Sequence, residues 1–177
     1  MSAGEGGRAE AASGGRQAAA DPGGGRDIRY GIVGFGLMGE EHCRNLLLLR
    51  RREGGVRVVG VADADPGSRD RAAAVAGPGV KVVDDVVDLL AATPVDAVVV
   101  ATPNHTHRHV LDRLWDSGVH VLVEKPLCTT LEDCRWVCRR AHEHRGLVWV
   151  GMEYRYMAPV GRLIEEVDAG TVGRPRM

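Results

Sequence analysis

The chain has 177 residues, of which 44% are hydrophobic and 27% charged, with a formal net charge of -1. That is about one domain with ample apolar content for a core, and no run approaches the roughly 18 apolar residues of a membrane span. The even mixture of acids and bases, without a basic stripe or basic–aromatic interleaving, excludes a nucleic-acid binder. Four cysteines, Cys43, Cys128, Cys134 and Cys138, are too few for a disulfide framework and point to a reducing compartment, taken to be the cytoplasm.

Residues 1–26 are Gly, Ala and Arg with scattered acids and contain neither leucine nor an aromatic residue. Such a segment cannot bury enough apolar surface to offset its ordering entropy, so a disordered tail is expected. It lacks the apolar centre of a secretory signal, and Glu5, Glu10 and Asp21 argue against an organelle transit peptide. From Asp27 the chain alternates between β-branched runs and amphipathic stretches. A strand is predicted at 28–33, a helix at about 38–51, a strand at 56–62 ending at Asp63, a helix around 69–76 and a weak strand at 80–83. Within 84–92, Val86, Val87, Leu89 and Leu90 are expected on one helical face. Ala97 to Ala101 is a continuous apolar strand, the pattern of a strand covered on both faces. Asn104 is expected to cap the next helix, which would bury Val110, Leu111, Leu114 and Trp115. A strand at 120–123, a helix burying Leu131, Cys134, Cys138 and Ala141, and a strand at 147–150 complete the series. Repeated β-α-β with short connections means an α/β fold, a doubly wound parallel sheet of the Rossmann kind over 27–151. Beyond it, Val160, Leu163, Ile164 and Val167 are spaced as one helical face, with Gly170 placed to end the helix. Residues 152–177 therefore read as the start of a second domain that is cut short.

The organising motif is Gly34-Phe35-Gly36-Leu37-Met38-Gly39, three glycines spaced G-x-G-x-x-G between a strand and a helix. In a dinucleotide site the first glycine allows the tight turn, the second lets backbone approach the pyrophosphate, and the third lets helix and strand pack closely. The phosphates would sit on the free N–H groups at the helix start. Asp63 stands 24 residues beyond Gly39, at the strand end where a carboxylate accepts from ribose hydroxyls. It would repel a 2′-phosphate, and no Arg follows at once to attract one, so NAD is favoured over NADP. Thr102-Pro103-Asn104-His105-Thr106-His107 follows the fourth long strand, where ligand crevices form. Its histidines, with His109, invite a metal reading, but the motif holds no Cys or carboxylate and no metal is expected. Glu124-Lys125-Pro126 follows the next strand. Lys125 there could relay a substrate proton while hydride moves to the cofactor, and Pro126 could lock the backbone, a cis bond being open to it. Cys134, Cys138 and His142 are spaced like a ligand stripe but are better read as part of a buried helix face.

Gly34-x-Gly36-x-x-Gly39, Asp63, Thr102-x-Asn104-x-x-His107 and Glu124-Lys125-Pro126, with the closing Gly151-Met152-Glu153-Tyr154-Arg155-Tyr156, stand in an order and spacing that resembles one family. It is the glucose–fructose oxidoreductase / inositol dehydrogenase / MocA-type oxidoreductases, and the likeness covers 28–177. The resemblance implies a nicotinamide-binding Rossmann domain followed by an open-sheet domain that binds a sugar, polyol or related hydroxyl substrate. By that likeness Gly34, Phe35, Gly36, Leu37, Met38 and Gly39 hold the pyrophosphate, and Asp63 holds the adenosine ribose. Thr102, Pro103, Asn104 and His107 flank the nicotinamide half, Glu124 and Lys125 bind the cofactor with Lys125 catalytic beside the reacting carbon, and Arg155 lies near cofactor or substrate. The resemblance also implies a homo-oligomer for the full-length form. Members draw a His, often with an Asp, from the second domain, and the chain stops before such a motif; a truncated form with weak or no turnover is expected. Two other readings stay open. One is a non-catalytic dinucleotide sensor or scaffold. The other is an S-adenosylmethionine methyltransferase, against which the Glu-Lys-Pro element counts.

Overall fold

The computed structural model describes residues 26–174 and 176. The expected tail lies outside the described residues except for Arg26, whose guanidinium pairs with Asp96 at 2.9 Å. Six strands, β1 (Ile28–Val33), β2 (Val56–Ala62), β3 (Lys81–Val83), β4 (Ala97–Val100), β5 (His120–Glu124) and β6 (Val148–Gly151), form one sheet in the order β3-β2-β1-β4-β5-β6. Every pairing is parallel. Strand order reverses between β1 and β4, so the chain leaves these neighbours in opposite directions and opens a crevice beyond their C-terminal ends.

Helices cover both faces. On one, α1 (Leu37–Arg52) and α2 (Pro66–Ala76) pack on Ile32, Val58, Val61 and Val99 through Cys43 and Ala72. On the other, α3 (Val86–Ala92), α4 (His107–Asp112) and α5 (Leu131–Glu143) bury Leu89, Leu111 and Val137 against Val98, Val100, Val121 and Val123. Alternate residues of β4 thus serve opposite cores, which is why the strand reads as continuously apolar. Leu89 sits on two facing glycines, Gly31 and Gly60, which are register partners in β1 and β2. A Cβ on Gly60 would lie 2.2 Å from a Leu89 methyl, so the missing side chains seat α3.

The ends of these helices follow local chemistry. Asp65 accepts from Ser68 N–H at 2.7 Å, and Pro66 takes the first helical position. This Asp-Pro pair starts α2 three residues before the predicted Arg69. Asp85 caps α3 through Val87 N–H, and Thr130 caps α5 through Asp133 N–H. Asn104 does not cap α4. It opens a 3-10 turn at Asn104–Thr106, and no side chain caps either element.

Two predicted faces are wrong by one position. In α3, Val86 and Leu89 are buried whereas Val87 is 46% exposed. In α5 the buried residue is Val137, with Cys134, Trp136 and Ala141 partly buried beside it, while Cys138, His142 and Leu131 are exposed. Trp136 is the reason: its indole packs against Trp115 at a centroid distance of 6.0 Å, with the Arg108 guanidinium 3.3 Å from its ring centroid. That contact turns the helix away from the cysteine stripe. All four cysteines are free thiols, and burial pushes the Cys128 thiol up to about 11.

At the sheet end opposite the crevice, Asp96 accepts from Arg29 at its backbone N–H (2.9 Å), Nε (2.8 Å) and Nη2 (2.7 Å). The Arg29 hydrogen bond holds the Asp96 carboxyl well below the usual carboxylate range. A carboxyl depressed on folding contributes stability that is complete above its unfolded value of about 4 and is lost as pH falls toward the folded value. Asp96→Asn is therefore expected to lower urea-unfolding stability at pH 7, and the gap to the parent chain should close as pH falls below about 4.

Past β6 come a 3-10 turn (Glu153–Tyr156) and α6 (Ala158–Asp168). The predicted apolar face of α6 is present but uncovered, with Leu163 57% and Ile164 42% exposed.

Candidate dinucleotide cleft

Beyond the ends of β1, β2 and β4 lies a cleft of about 620 Å³. Gly34, Gly36, Leu37 and Met38 form its floor, Asp63 one side and Thr102 and Pro103 the other. Each glycine has its own physical reason. Gly34 has φ +89°, and a Cβ there would lie 2.7 Å from the Ala101 backbone. A Cβ on Gly39 would stand 1.9 Å from the Gly34 carbonyl oxygen, so helix and loop touch only because it is absent. Gly36 is different: its backbone is ordinary, with φ -74°, and a Cβ would meet nothing within 4 Å. The protein's own packing does not require a glycine there. Gly36 is also the N-cap of α1 and makes no side-chain cap, so the first-turn N–H groups face the cleft without a capping side chain. This donor set and the clear space above Gly36 fit a pyrophosphate.

Asp63 braces the loop as well as facing the cleft. Its Oδ2 accepts from Phe35 N–H at 2.5 Å and its Oδ1 from Asp65 N–H at 2.8 Å. A carboxylate has about four acceptor positions, so two bonds leave room for ribose hydroxyls. Two arginines from α2 stand close. Arg69 donates to the carbonyls of Asp63 and Ala64, each at 2.8 Å, while Arg71 donates to Ser68 Oγ at 2.8 Å. Sequence separation hid them, because α2 returns over the acid only once Pro66 starts the helix. The far end of the cleft is closed by an ion pair between Asp85 and Arg113, residues 28 apart in sequence that no local pattern connects.

Several predicted residues are placed elsewhere. The Phe35 side chain is fully buried in the α1 face of the core, so only its backbone belongs to the loop. Asn104 does not line the cleft; Thr106 and His109 do. Thr106 Oγ1 donates to the Pro103 carbonyl at 2.7 Å and stiffens that turn. His107 is fully buried and does not line the cleft. Its Nδ1 lies 3.1 Å from the Pro126 carbonyl and 3.2 Å from that of Leu127, and its Nε2 lies 3.0 Å from the Thr102 carbonyl. It ties the loop after β4 to the loop after β5. His107→Ala leaves a cavity and unpaired carbonyls, and should lower urea-unfolding stability by about 2–4 kcal/mol. Asn104→Ala should change it by less than about 0.5 kcal/mol.

Glu124 is nearly buried at the end of β5, with Oε1 2.7 Å from His42 Nε2. The Lys125–Pro126 bond is cis. Lys125 is half-exposed, Nζ 3.7 Å from Glu153 Oε1, and does not line the cleft. Arg155 also stands apart, lining a separate recess of about 220 Å³ with Trp149, Met152 and Tyr156. His42 escaped notice in the sequence. Its signal was its place three residues after Gly39, on the helix that starts at the glycine loop.

The profile of the oxidoreductase family with an NAD-binding Rossmann fold, GFO_IDH_MocA, matches residues 28–152. Inositol 2-dehydrogenase 1 of Saccharopolyspora erythraea is 41% identical over 149 residues, 84% of this chain and 43% of that protein. Inositol 2-dehydrogenase of Ralstonia nicotianae is 35% identical over 152 residues, 85% of this chain and 44% of that protein. Among solved structures, the WlbA dehydrogenase of Bordetella pertussis in complex with NADH and UDP-GlcNAcA superposes with a TM-score of 0.76 at 27% identity, covering 84% of this chain and 44% of that one. The scyllo-inositol dehydrogenase of Lactobacillus casei with bound NAD(H) and scyllo-inositol gives 0.74 at 25% identity, covering 84% and 43%. The chain thus spans under half the length of these relatives. Among the described residues no helix is long and apolar enough to cross a membrane.

Proposed function

The chain belongs to the Gfo/Idh/MocA oxidoreductase family, with its NAD-binding Rossmann fold, and from that premise we propose that it binds NAD in the cleft and serves hydride transfer from the hydroxyl carbon of a polyol or sugar. Gly36 carries the assignment: its Cβ would meet no protein atom, so a glycine is required there only if a ligand comes close. The uncapped start of α1 holds the pyrophosphate, and Asp63 accepts from the adenosine ribose. Thr102 and Pro103 line the side of the cleft that follows β4, and the nicotinamide would lie against them. NAD supplies the hydride acceptor. Lys125, whose ammonium pairs with Glu153 in the free chain, would give a proton to solvent as substrate replaces that contact, and its neutral Nζ would then hold the substrate oxygen and take the hydroxyl proton. Residues 152–177 begin the part of the protein that brings the substrate, which is a polyol in the inositol dehydrogenase relatives.

The test is titration of the chain with NADH and NADPH, read by nicotinamide fluorescence. Saturation by NADH, with NADPH about tenfold weaker or more, is expected from the charge of Asp63. Saturation by neither contradicts the assignment. A sensor that binds without reacting is favoured by one observation, that Lys125 is paired with Glu153 outside the cleft lining. In a homologous enzyme assay Lys125→Ala separates the two, since only an enzyme loses turnover at unchanged NADH affinity.

A further inference from the structure

Glu124 is the one acidic side chain buried in the described core, 7% exposed, and the mechanism above gives it no role. A buried carboxylate needs partners. One oxygen meets His42 Nε2 at 2.7 Å, and the other accepts from Lys125 N–H at 3.2 Å. Its neighbour across the sheet is Gly151, where even a Cβ would stay 3.5 Å from Oε1, so β6 offers no competing side chain. His42 lies one turn into α1, whose first turn faces the cleft. The same rigid helix therefore reaches the phosphate site with its N-terminus and the Lys125 loop with His42. We propose that His42 is a positioning residue: it orients the Glu124 carboxylate, which fixes the backbone of Lys125 just past the end of β5.

The role of Lys125 rests on the function proposed above, but the geometry of its backbone does not, and the test keeps the two apart. In the ¹⁵N-labelled 177-residue chain the Lys125 amide proton, bonded to a carboxylate, should resonate downfield. His42→Ala should release the carboxylate and move that proton upfield. His42→Gln, whose side-chain amide can donate to the same oxygen, should restore its position. In a Glu124→Met background, which has no acceptor for His42, His42→Ala should add nothing, because the two side chains act as a unit. A purely structural pair predicts otherwise: His42→Ala would lower the melting temperature with the Lys125 amide unmoved, and that result overturns the proposal. Failure of His42→Gln to restore the resonance, although folded, overturns it too. If the parent chain does not bind NADH, the cofactor assignment falls, and the Lys125 amide still decides for or against His42.

Discussion

Gly36→Ala is expected to fold and bind its dinucleotide weakly, whereas Gly39→Ala is expected to destabilise the fold. At Gly36 the backbone already has an ordinary negative φ and the new methyl would meet no protein atom within 4 Å. The apo chain should lose no more than about 1 kcal/mol, the difference between glycine and alanine at an N-cap. The methyl would instead stand where a pyrophosphate must approach, and an intrusion of that size costs about 1–3 kcal/mol, or roughly a 10- to 100-fold weaker NAD affinity. At Gly39 the added Cβ would lie 1.9 Å from the Gly34 carbonyl oxygen, a backbone atom that cannot step aside without moving β1. A destabilisation of about 3 kcal/mol or more follows, and a melting temperature lower by roughly 6–12 °C. Thermal melts with and without NAD separate the two effects. Equal losses of stability would mean that Gly36 is a packing glycine and that the space above it has no ligand to serve.

The second large effect is on cofactor choice. Asp63→Asn keeps an acceptor oxygen for Phe35 N–H or Asp65 N–H but removes the negative charge at the ribose position. With Arg71 close by on α2, a 2′-phosphate then meets attraction rather than repulsion. NAD affinity should fall by about tenfold through the weaker hydrogen bond to the ribose, while NADP affinity rises, so the preference narrows or inverts. Parallel NADH and NADPH titrations read this directly. An unchanged ratio would place the ribose away from Asp63.

Most of the fold was legible because parallel strands buried on both faces advertise themselves. β1 and β2 were bounded to the residue by β-branched runs with Asp27 and Asp63 beside them, and glycines and capping acids marked the turns. Failures lie where tertiary contact overrides periodicity. Val87 fits the apolar stripe of α3, yet the seat made by Gly31 and Gly60 selects Leu89 and turns Val87 outward. Trp136 similarly takes the buried side of α5 from Cys138. At the site, local pattern located the glycine loop, Asp63, Thr102 and Pro103, since each belongs to one short segment. It misjudged His107, which looks like a cleft residue by position but is drawn inward by three carbonyls from two loops. It could not find the pairs His42–Glu124 and Asp85–Arg113, which join residues 82 and 28 apart.

If the glycine loop holds NAD, a thermal melt of the 177-residue chain across an NAD titration must show it. A ligand that binds only the folded state adds about 2.7 kcal/mol at 100 times its dissociation constant, so the melting temperature must climb with NAD concentration. NAD bound in the glycine loop requires that climb in the parent chain and its suppression in Gly36→Ala. A cooperative melt that does not move with NAD would contradict it.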